Sequence, residues 1–117
     1  MPDTQEPGTA LVEIFTYREK QQLAGLCVRC FQMNRIDFAH ANLRGARFEE
    51  VSLYACDFSG ADLRGAQFVR CDLRAARFKD AFFACNTFAG SWLIGATGIS
   101  PRLRRYIRQR GGHFLYC

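Results

Sequence analysis

A large apolar residue returns at every fifth position of residues 36–95, without one omission. These positions are Phe38, Leu43, Phe48, Leu53, Phe58, Leu63, Phe68, Leu73, Phe78, Phe83, Phe88 and Leu93. Five residues advance an α-helix by about 140° beyond a full turn, and in a flat strand they alternate between faces. Neither element can bury all twelve. The chain must turn the same way after every fifth residue, so the pattern predicts stacked coils around a structural core of these residues.

A second period of twenty residues sets the size of the predicted coil. Phe38, Phe58 and Phe78 align at this period, as do Phe48, Phe68 and Phe88. Columns of Leu alternate with these columns of Phe, and Phe83 is the exception in one of them. Four steps of five residues therefore predict a coil with four sides, in which like residues stack on like.

Small and polar residues take the positions between the large ones. We call the twelve large residues the centres of the repeats. The position two residues before each centre usually holds Ala or Cys, which suits a narrow interior. An outward residue follows it, and it is often a turn former that can bond backbone N–H groups: Asp37, Asn42, Asp57, Asp62 and Asp72. Asn86 breaks the small inward rule, and we expect its carboxamide to bond neighbouring backbone.

Several segments resemble the repeat of the pentapeptide-repeat family, Ala-Asp/Asn-Leu-X-X. They are Ala41-Asn42-Leu43, Cys56-Asp57-Phe58, Ala61-Asp62-Leu63 and Cys71-Asp72-Leu73. The resemblance implies an all-β fold, a right-handed quadrilateral β-helix, to which the local sequence adds a short C-terminal α-helical cap. We divide the chain into a tail and cap (1–22), the β-helix (23–98) and a C-terminal helix and tail (99–117).

The first 35 residues depart from the repeat. Residues 10–17 have the composition of a strand, and residues 18–25 are polar and fit a helical turn or an irregular first coil. Together they are expected to cover the N-terminal end of the coil. Leu26 and Phe31 occupy small inward positions, which predicts a distorted first coil.

A helix is predicted after residue 99. Ser100 is a suitable N-cap, Pro101 suits the first helical position, and Gly111-Gly112 ends the helix. More apolar residues gather here than one short helix can cover, which predicts a homodimer joined through the C-terminal cap. The candidate interface comprises Phe82, Trp92, Leu103, Tyr106, Ile107, Phe114, Leu115 and Tyr116.

The net charge of +5 lies entirely in this C-terminal segment. Residues 36–100 balance seven basic against seven acidic residues, and residues 1–35 also sum to zero. The excess forms a candidate basic patch of Arg102, Arg104, Arg105, Arg108 and Arg110. The coil itself is therefore expected to be electrically neutral.

The six cysteines do not form a recognisable metal site. Cys27 and Cys30 make a CxxC, but no second ligand pair follows at a suitable spacing, and His40 and His113 are distant in sequence. We expect reduced thiols, no metal and no cofactor. The chain lacks an apolar run of membrane-spanning length and a signal-peptide pattern at its N-terminus, so a cytoplasmic protein is expected.

No catalytic constellation is apparent, so the chain is interpreted as a non-enzymatic scaffold for protein–protein interaction with an unknown partner. Two alternatives stay open. The resemblance implies the first, because some family members mimic DNA, bind DNA gyrase and confer quinolone resistance; the neutral, short coil argues against it. The second is nucleic-acid binding through the Arg-rich helix, which is not expected since a solvated cap face explains those arginines equally well.

Overall fold

The computed structural model describes residues 15–115. Five elements follow one another along this part of the chain: helix α1 (Tyr17–Lys20), strands β1 (Cys27–Arg29), β2 (Arg47–Glu49) and β3 (Gln67–Val69), and helix α2 (Pro101–Gln109). The three strands form one parallel sheet in the order β1-β2-β3. The predictions made for residues 1–14 and for Tyr116 lie outside the described residues.

Every pairing within the repeat region joins residues twenty apart, so each coil takes twenty residues. Val28 pairs with Phe48, and Phe48 with Phe68. Three further lines of isolated bridges carry the same spacing. We name the four sides after an outward residue: the Asp37 side (Asp37, Asp57, Arg77, Thr97), the Asn42 side (Asn42, Asp62, Phe82), the Arg47 side (Cys27, Arg47, Gln67, Thr87) and the Ser52 side (Gln32, Ser52, Asp72, Trp92).

The core consists of the residues that recur every five positions. Eleven of the twelve centres are buried, and Phe83 is half-buried. The rings of Phe38, Phe58 and Phe78 stack at centroid distances of 5.3 and 5.4 Å. A second column, from Phe48 through Phe68 to Phe88, stacks at 5.4 Å per step. The twenty-residue period places each Phe ring over the equivalent ring of the preceding coil, and these stacked rings fill the apolar interior.

The corners of the coil combine two backbone devices. The outward carboxylate or carboxamide accepts a hydrogen bond from the backbone N–H two residues later, as Asp57 Oδ1 does from Ser59 at 2.9 Å. Two residues after each centre, the backbone takes a positive φ, for example 59° at Ala55 and 77° at Gly65. Together they turn the chain at the corner and start the next side.

The N-terminal end is covered by the segment around α1. Thr16 caps the helix by accepting a hydrogen bond from Glu19 N–H at 3.1 Å, so the strand predicted for residues 10–17 is wrong at Tyr17. The ring of Phe15 packs on Phe38 at 5.7 Å. Lys20 is buried, and its ammonium lies 3.2 Å from Asp37.

The first coil keeps the register of the later ones, although its inward positions carry large residues. Strand β1 pairs with β2 in the same twenty-residue step. The departure predicted for this coil is visible at Phe31, whose side chain is 61% exposed where later coils bury Val51, Cys71 and Ser91. Leu26 stays half-buried against the core.

Candidate interaction surface

Helix α2 forms where its capping residues predict it. Ser100 has an extended backbone, and its side chain accepts a hydrogen bond from Leu103 N–H at 3.1 Å. Pro101 opens the helix. Ile107 is fully buried, and Leu103 and Tyr106 are partly buried against the core. One face of α2 therefore lies on the last coil, where candidate interface residues Leu103, Tyr106 and Ile107 meet it.

A polar contact ties α2 to the coil. The Tyr106 hydroxyl donates to Asn86 Oδ1 at 2.9 Å and accepts from Asn86 backbone N–H at 3.2 Å. Asn86 Nδ2 donates to the carbonyls of Leu63 and Ala66, both at 2.7 Å. Asn86 thus bonds backbone, as expected, and also anchors the helix. The sequence carried one signal for this, since Tyr106 follows Asn86 by one twenty-residue period.

After α2 the chain returns to the coil and adds to it. Phe88 N–H donates to Arg110 carbonyl at 2.9 Å, and Leu93 N–H donates to His113 carbonyl at 2.7 Å. His113 N–H donates in turn to Ser91 carbonyl at 2.9 Å. These bonds cover the Arg47 and Ser52 sides of the last coil.

An aromatic zone, which comprises Trp92, His113, Phe114 and Leu115, lies at the C-terminal end of the Ser52 side. The rings of Trp92 and His113 are 5.0 Å apart. Trp92 is 37% and Leu115 68% exposed, whereas Phe114 is buried. The zone gathers four neighbouring residues, of which Trp92, Phe114 and Leu115 belong to the predicted interface. Two large side chains in it still face solvent.

A groove lies on the other side of the same end. It has a volume of about 460 Å³ and lies between α2 and the last coil. Its lining comprises Phe78, Asp80, Ala81, Phe83, Gly98, Ser100, Arg102, Leu103 and Tyr106. Phe82 stands next to it in sequence and is 56% exposed. Of the predicted interface residues, Leu103 and Tyr106 line this groove, Trp92, Phe114 and Leu115 lie in the aromatic zone, and Ile107 is buried against the coil.

The five arginines of the predicted basic patch differ in their contacts. The Arg110 guanidinium lies 3.8 Å from the centre of the Tyr106 ring, and that of Arg104 lies 4.3 Å from the Phe114 ring. Within residues 15–115, Arg102, Arg105 and Arg108 have no carboxylate or aromatic partner. The sequence has no acidic residue after Asp80, so this end of the molecule is basic.

Elsewhere on the coil the charges are paired. Six of the seven carboxylates between residues 36 and 100 have a basic partner within 4.0 Å: Asp37, Glu49, Glu50, Asp57, Asp62 and Asp72. Hydrogen bonds from Arg64 lower the pKa of Asp62. Burial raises the pKa of Asp72, but hydrogen bonds from Arg74 outweigh it and lower that pKa overall. The sides therefore present a balanced surface.

The cysteines fall into two groups. Burial raises the pKa of Cys56 to about 12 and that of Cys71 to about 11. Their thiols donate to the carbonyls of Met33 and Phe48 at 2.8 and 3.2 Å. Cys27, Cys30 and Cys85 are exposed. No cluster of three or more metal-ligating side chains occurs within residues 15–115.

None of the helices in the described part of the chain has the length and apolar character needed to cross a membrane.

Comparison with known proteins identifies the repeat. The family model described as pentapeptide repeats matches residues 32–68 and 52–84, with eight copies. None of the curated proteins matches the chain.

Three solved structures are among those similar to this chain. Full-length QnrB1, a plasmid-mediated fluoroquinolone resistance protein, is 21% identical over 62% of this chain, with a TM-score of 0.41. The chain spans only 39% of that protein's length. A pentapeptide repeat protein from the Arabidopsis thaliana thylakoid lumen is 25% identical over 81% of this chain and 79% of its own, with a TM-score of 0.24. A trypsin-treated QnrB1 variant is 18% identical over 90% and 79%, with a TM-score of 0.29.

Proposed function

Because this chain is a pentapeptide-repeat protein, we propose that it is a non-catalytic scaffold that binds other proteins through its C-terminal end. One observation carries the proposal. Phe82, Trp92 and Leu115, which are 56%, 37% and 68% exposed, all lie at this end, whereas most carboxylates of the coil sides are ion-paired. Exposed apolar patches on soluble domains commonly mark interaction sites.

The architecture belongs to the same proposal. We infer that the four lines of parallel pairing wind as a right-handed quadrilateral β-helix and that α2 with its tail serves as the cap. The right-handed winding agrees with the handedness that crossover connections between parallel strands favour. The cap role is supported by the contacts of Ile107 and Tyr106 with the last coil. A cytoplasmic location remains part of the proposal, since the five described cysteines are all free thiols.

Affinity purification from native cells tests the scaffold role when three forms of the chain are compared. We expect the wild type to retain a protein partner and Leu115→Asp, which puts a charge in the aromatic zone, to lose it. Phe31→Asp is the matched control, because Phe31 is 61% exposed, close to the 68% of Leu115, but lies in the first coil. Equal loss with Phe31→Asp, or equal retention by Leu115→Asp and wild type, would contradict binding through this end.

We infer further that a second copy of the chain can be the partner of the aromatic zone. Identical chains most often pair about a two-fold axis, and Trp92 and Leu115 offer a self-complementary apolar contact. Arg102, Arg105 and Arg108 of α2 must then point away from the contact between the two copies, because like charges oppose pairing. Light scattering should give a dimeric mass for the wild type and a monomeric mass for Leu115→Asp. A wild-type monomer at tens of micromolar would overturn this assembly.

DNA mimicry towards gyrase is the less favoured alternative. A mimic of the phosphate backbone needs a row of uncompensated negative charge, whereas Asp62 and Asp72, on opposite sides of the coil, are each held by an arginine. We expect no effect of the protein on gyrase supercoiling or on its inhibition by quinolones. Protection of gyrase in that assay would restore mimicry as the leading function.

Binding of a nucleic acid through α2 has one observation in its favour: within residues 15–115, three of its arginines have no carboxylate or aromatic partner. Lys and Arg that neutralise phosphates give an affinity that falls steeply with salt. If this function holds, replacing Arg102, Arg105 and Arg108 together by Gln should abolish DNA retention and its salt dependence. Replacing Arg44, Arg64 and Arg74 by Gln is the matched control for total charge.

A further inference from the structure

The last coil leaves backbone groups unpaired on the Asn42 side. In earlier coils, the centre N–H of this side donates to the next coil, as Leu43 does to Asp62 carbonyl and Leu63 to Phe82 carbonyl, both at 2.9 Å. The N–H two residues later also donates, at 3.0 Å from Gly45 and 2.6 Å from Gly65.

The equivalent groups of the last coil have no such partner. Phe83 N–H and Cys85 N–H have no acceptor within residues 15–115. Ala81 carbonyl has no donor there, although its equivalents Ala41 and Ala61 accept from the next coil at 2.9 Å. We call these three groups the open edge. Backbone groups left without partners in this way are a template for another chain.

The chain itself supplies the next strand on the other three sides. The centre N–H groups of Phe78, Phe88 and Leu93 donate to the carbonyls of Thr97, Arg110 and His113, at 2.9, 2.9 and 2.7 Å. By the twenty-residue count, residues 102 and 103 would complete the Asn42 side. They lie in α2 instead, so the coil is extended on three sides and ends one strand earlier on the fourth.

The groove lies beside the open edge. In earlier coils the centre residue of the next coil covers this position, as Leu63 covers Leu43. Here the ring of Phe83 is only partly covered, and Leu103 and Tyr106 form the opposite wall. The volume of about 460 Å³ lies within the range of pockets that hold a ligand, roughly 300–1,000 Å³. It can therefore receive a large apolar side chain.

We propose that the open edge and the groove bind an extended segment of a partner protein, which adds as the missing strand of the Asn42 side. Its backbone carbonyls accept from Phe83 and Cys85, one of its N–H groups donates to Ala81 carbonyl, and a Leu or Phe side chain enters the groove. This is recognition by strand addition, in which main-chain bonds give affinity and a pocket gives specificity.

Charge complementarity indicates which segments fit. Arg102 lines the groove and has no carboxylate partner in the described part of the chain, and Arg105 and Arg108 follow it on α2. Asp80 also lines the groove and is the last acidic residue of the sequence. A segment with acidic residues around its apolar residue therefore matches this end better than a basic one. The inference deepens the proposed function and rests on it, but the groove is separate from the aromatic zone.

Amide hydrogen exchange of the full chain, followed by NMR, tests the proposal directly. In the free chain, the amides of Phe83 and Cys85 should exchange faster than those of Leu63 and Gly65, which occupy the same positions one coil earlier. The probe is the acetylated, amidated peptide EADLEG, whose Leu enters the groove and whose Asp backbone pairs with the open edge. At about nine-tenths occupancy, it should slow both exposed amides about tenfold.

Two control peptides separate backbone pairing from other attraction. EADLEG methylated on the Asp amide nitrogen loses the donor for Ala81 carbonyl and should bind at least about tenfold more weakly, since about 1.4 kcal/mol corresponds to tenfold. KADLKG keeps the backbone and the Leu but reverses the charge, and should also bind more weakly. Equal binding of all three peptides would overturn strand addition.

A charge reversal in the groove completes the test. Arg102→Glu, at an exposed position of α2 that lines the groove, should lose protection by EADLEG and gain protection by KADLKG. Arg108→Glu, also exposed on α2 but outside the lining of the groove, is the matched control and should reduce protection by EADLEG much less. Failure of EADLEG to protect Phe83 and Cys85 would overturn the proposal, as would protection of these amides in the free chain.

If protection of the Phe83 and Cys85 amides rises with protein concentration in the absence of peptide, a second copy of the chain binds the open edge. This outcome would overturn the proposal of a partner protein. Partner retention by Leu115→Asp tests the proposed function, and EADLEG binding tests this inference, so the two can fail independently. Loss of partner retention by Leu115→Asp with normal EADLEG binding would support both.

Discussion

The Tyr106 hydroxyl and the Asn86 side chain form a reciprocal contact, in which Tyr106 donates to Asn86 Oδ1 at 2.9 Å and accepts from Asn86 N–H at 3.2 Å. It is the polar link between a helix that lies outside the repeat and the last coil of the repeat. Since Asn86 is buried, neither of its groups can turn to water when the link is broken.

Tyr106→Phe should therefore destabilise the protein by about 1–3 kcal/mol, because it leaves Asn86 Oδ1 without its donor in a buried site. Chemical denaturation followed by circular dichroism measures the change. Tyr54→Phe is the matched control: the Tyr54 hydroxyl makes no hydrogen bond within residues 15–115, so a change within about 0.5 kcal/mol is expected. Equal effects of the two variants would show that the hydroxyl of Tyr106 does not anchor α2.

Phe58→Ala should destabilise the protein by about 3–5 kcal/mol, because Phe58 is fully buried and stacks on Phe38 and Phe78. Phe68→Ala should behave alike. Thermal and urea unfolding report the change. Arg44→Ala removes an exposed ion pair with Asp62 and should cost under about 1 kcal/mol. An unchanged melting temperature of Phe58→Ala would contradict the stacked column.

The ion pair of Asp72 and Arg74 predicts a dependence of stability on acidity. The pKa of Asp72 is lowered in the folded chain, so its contribution is complete above the ordinary Asp pKa of about 3.9 and is lost as pH falls through the lowered value. Asp72→Asn should be less stable than wild type at pH 7, and the difference should shrink below about pH 4.

Urea unfolding of both forms at several pH values measures this dependence. Asn at position 72 keeps the oxygen that accepts from Arg74 N–H, so the turn itself is retained. Asp80→Asn is the control, because Asp80 has no basic partner within the described residues, and its stability should stay close to wild type at pH 7. A constant difference between Asp72→Asn and wild type from pH 7 to pH 3 would exclude the ion pair as its cause.

The thiols should differ in alkylation at pH 8. Cys27 and Cys85 are exposed and should react first. Cys30 should lag, because its hydrogen bond to the Glu50 carboxylate raises its pKa. Cys56 and Cys71 should react only after unfolding, since burial raises their pKa values to about 12 and about 11.

Mass spectrometry of peptides after timed labelling separates these sites. Glu50→Gln removes the negative charge beside Cys30 and should speed its labelling, while Cys85 serves as the internal control in the same sample. Labelling of Cys56 in the native chain at the rate of Cys85 would contradict its burial in the core.

Much of the coil could be predicted from the sequence because each of its rules is local and repeated. The recurrence of Phe58 and Phe78 at one position gave the twenty-residue register, and Ser100-Pro101 gave the start of α2. The contact of Asn86 with Tyr106 was missed, since it depends on how a helix outside the repeat lies on the coil. The open edge was missed for a similar reason: local sequence predicts that α2 forms, but not which side of the coil it leaves unpaired.

The stacked columns constrain how such a chain can change its length. A deletion of five residues would keep every large residue inside, but it would set Phe over Leu along the rest of the coil and break both ring columns. A deletion of twenty residues, such as 52–71, would bring Phe38 against Phe78 and keep all four columns in step. Homologues of this protein are therefore expected to gain or lose whole coils, so the lengths of their repeat regions should differ by multiples of twenty residues.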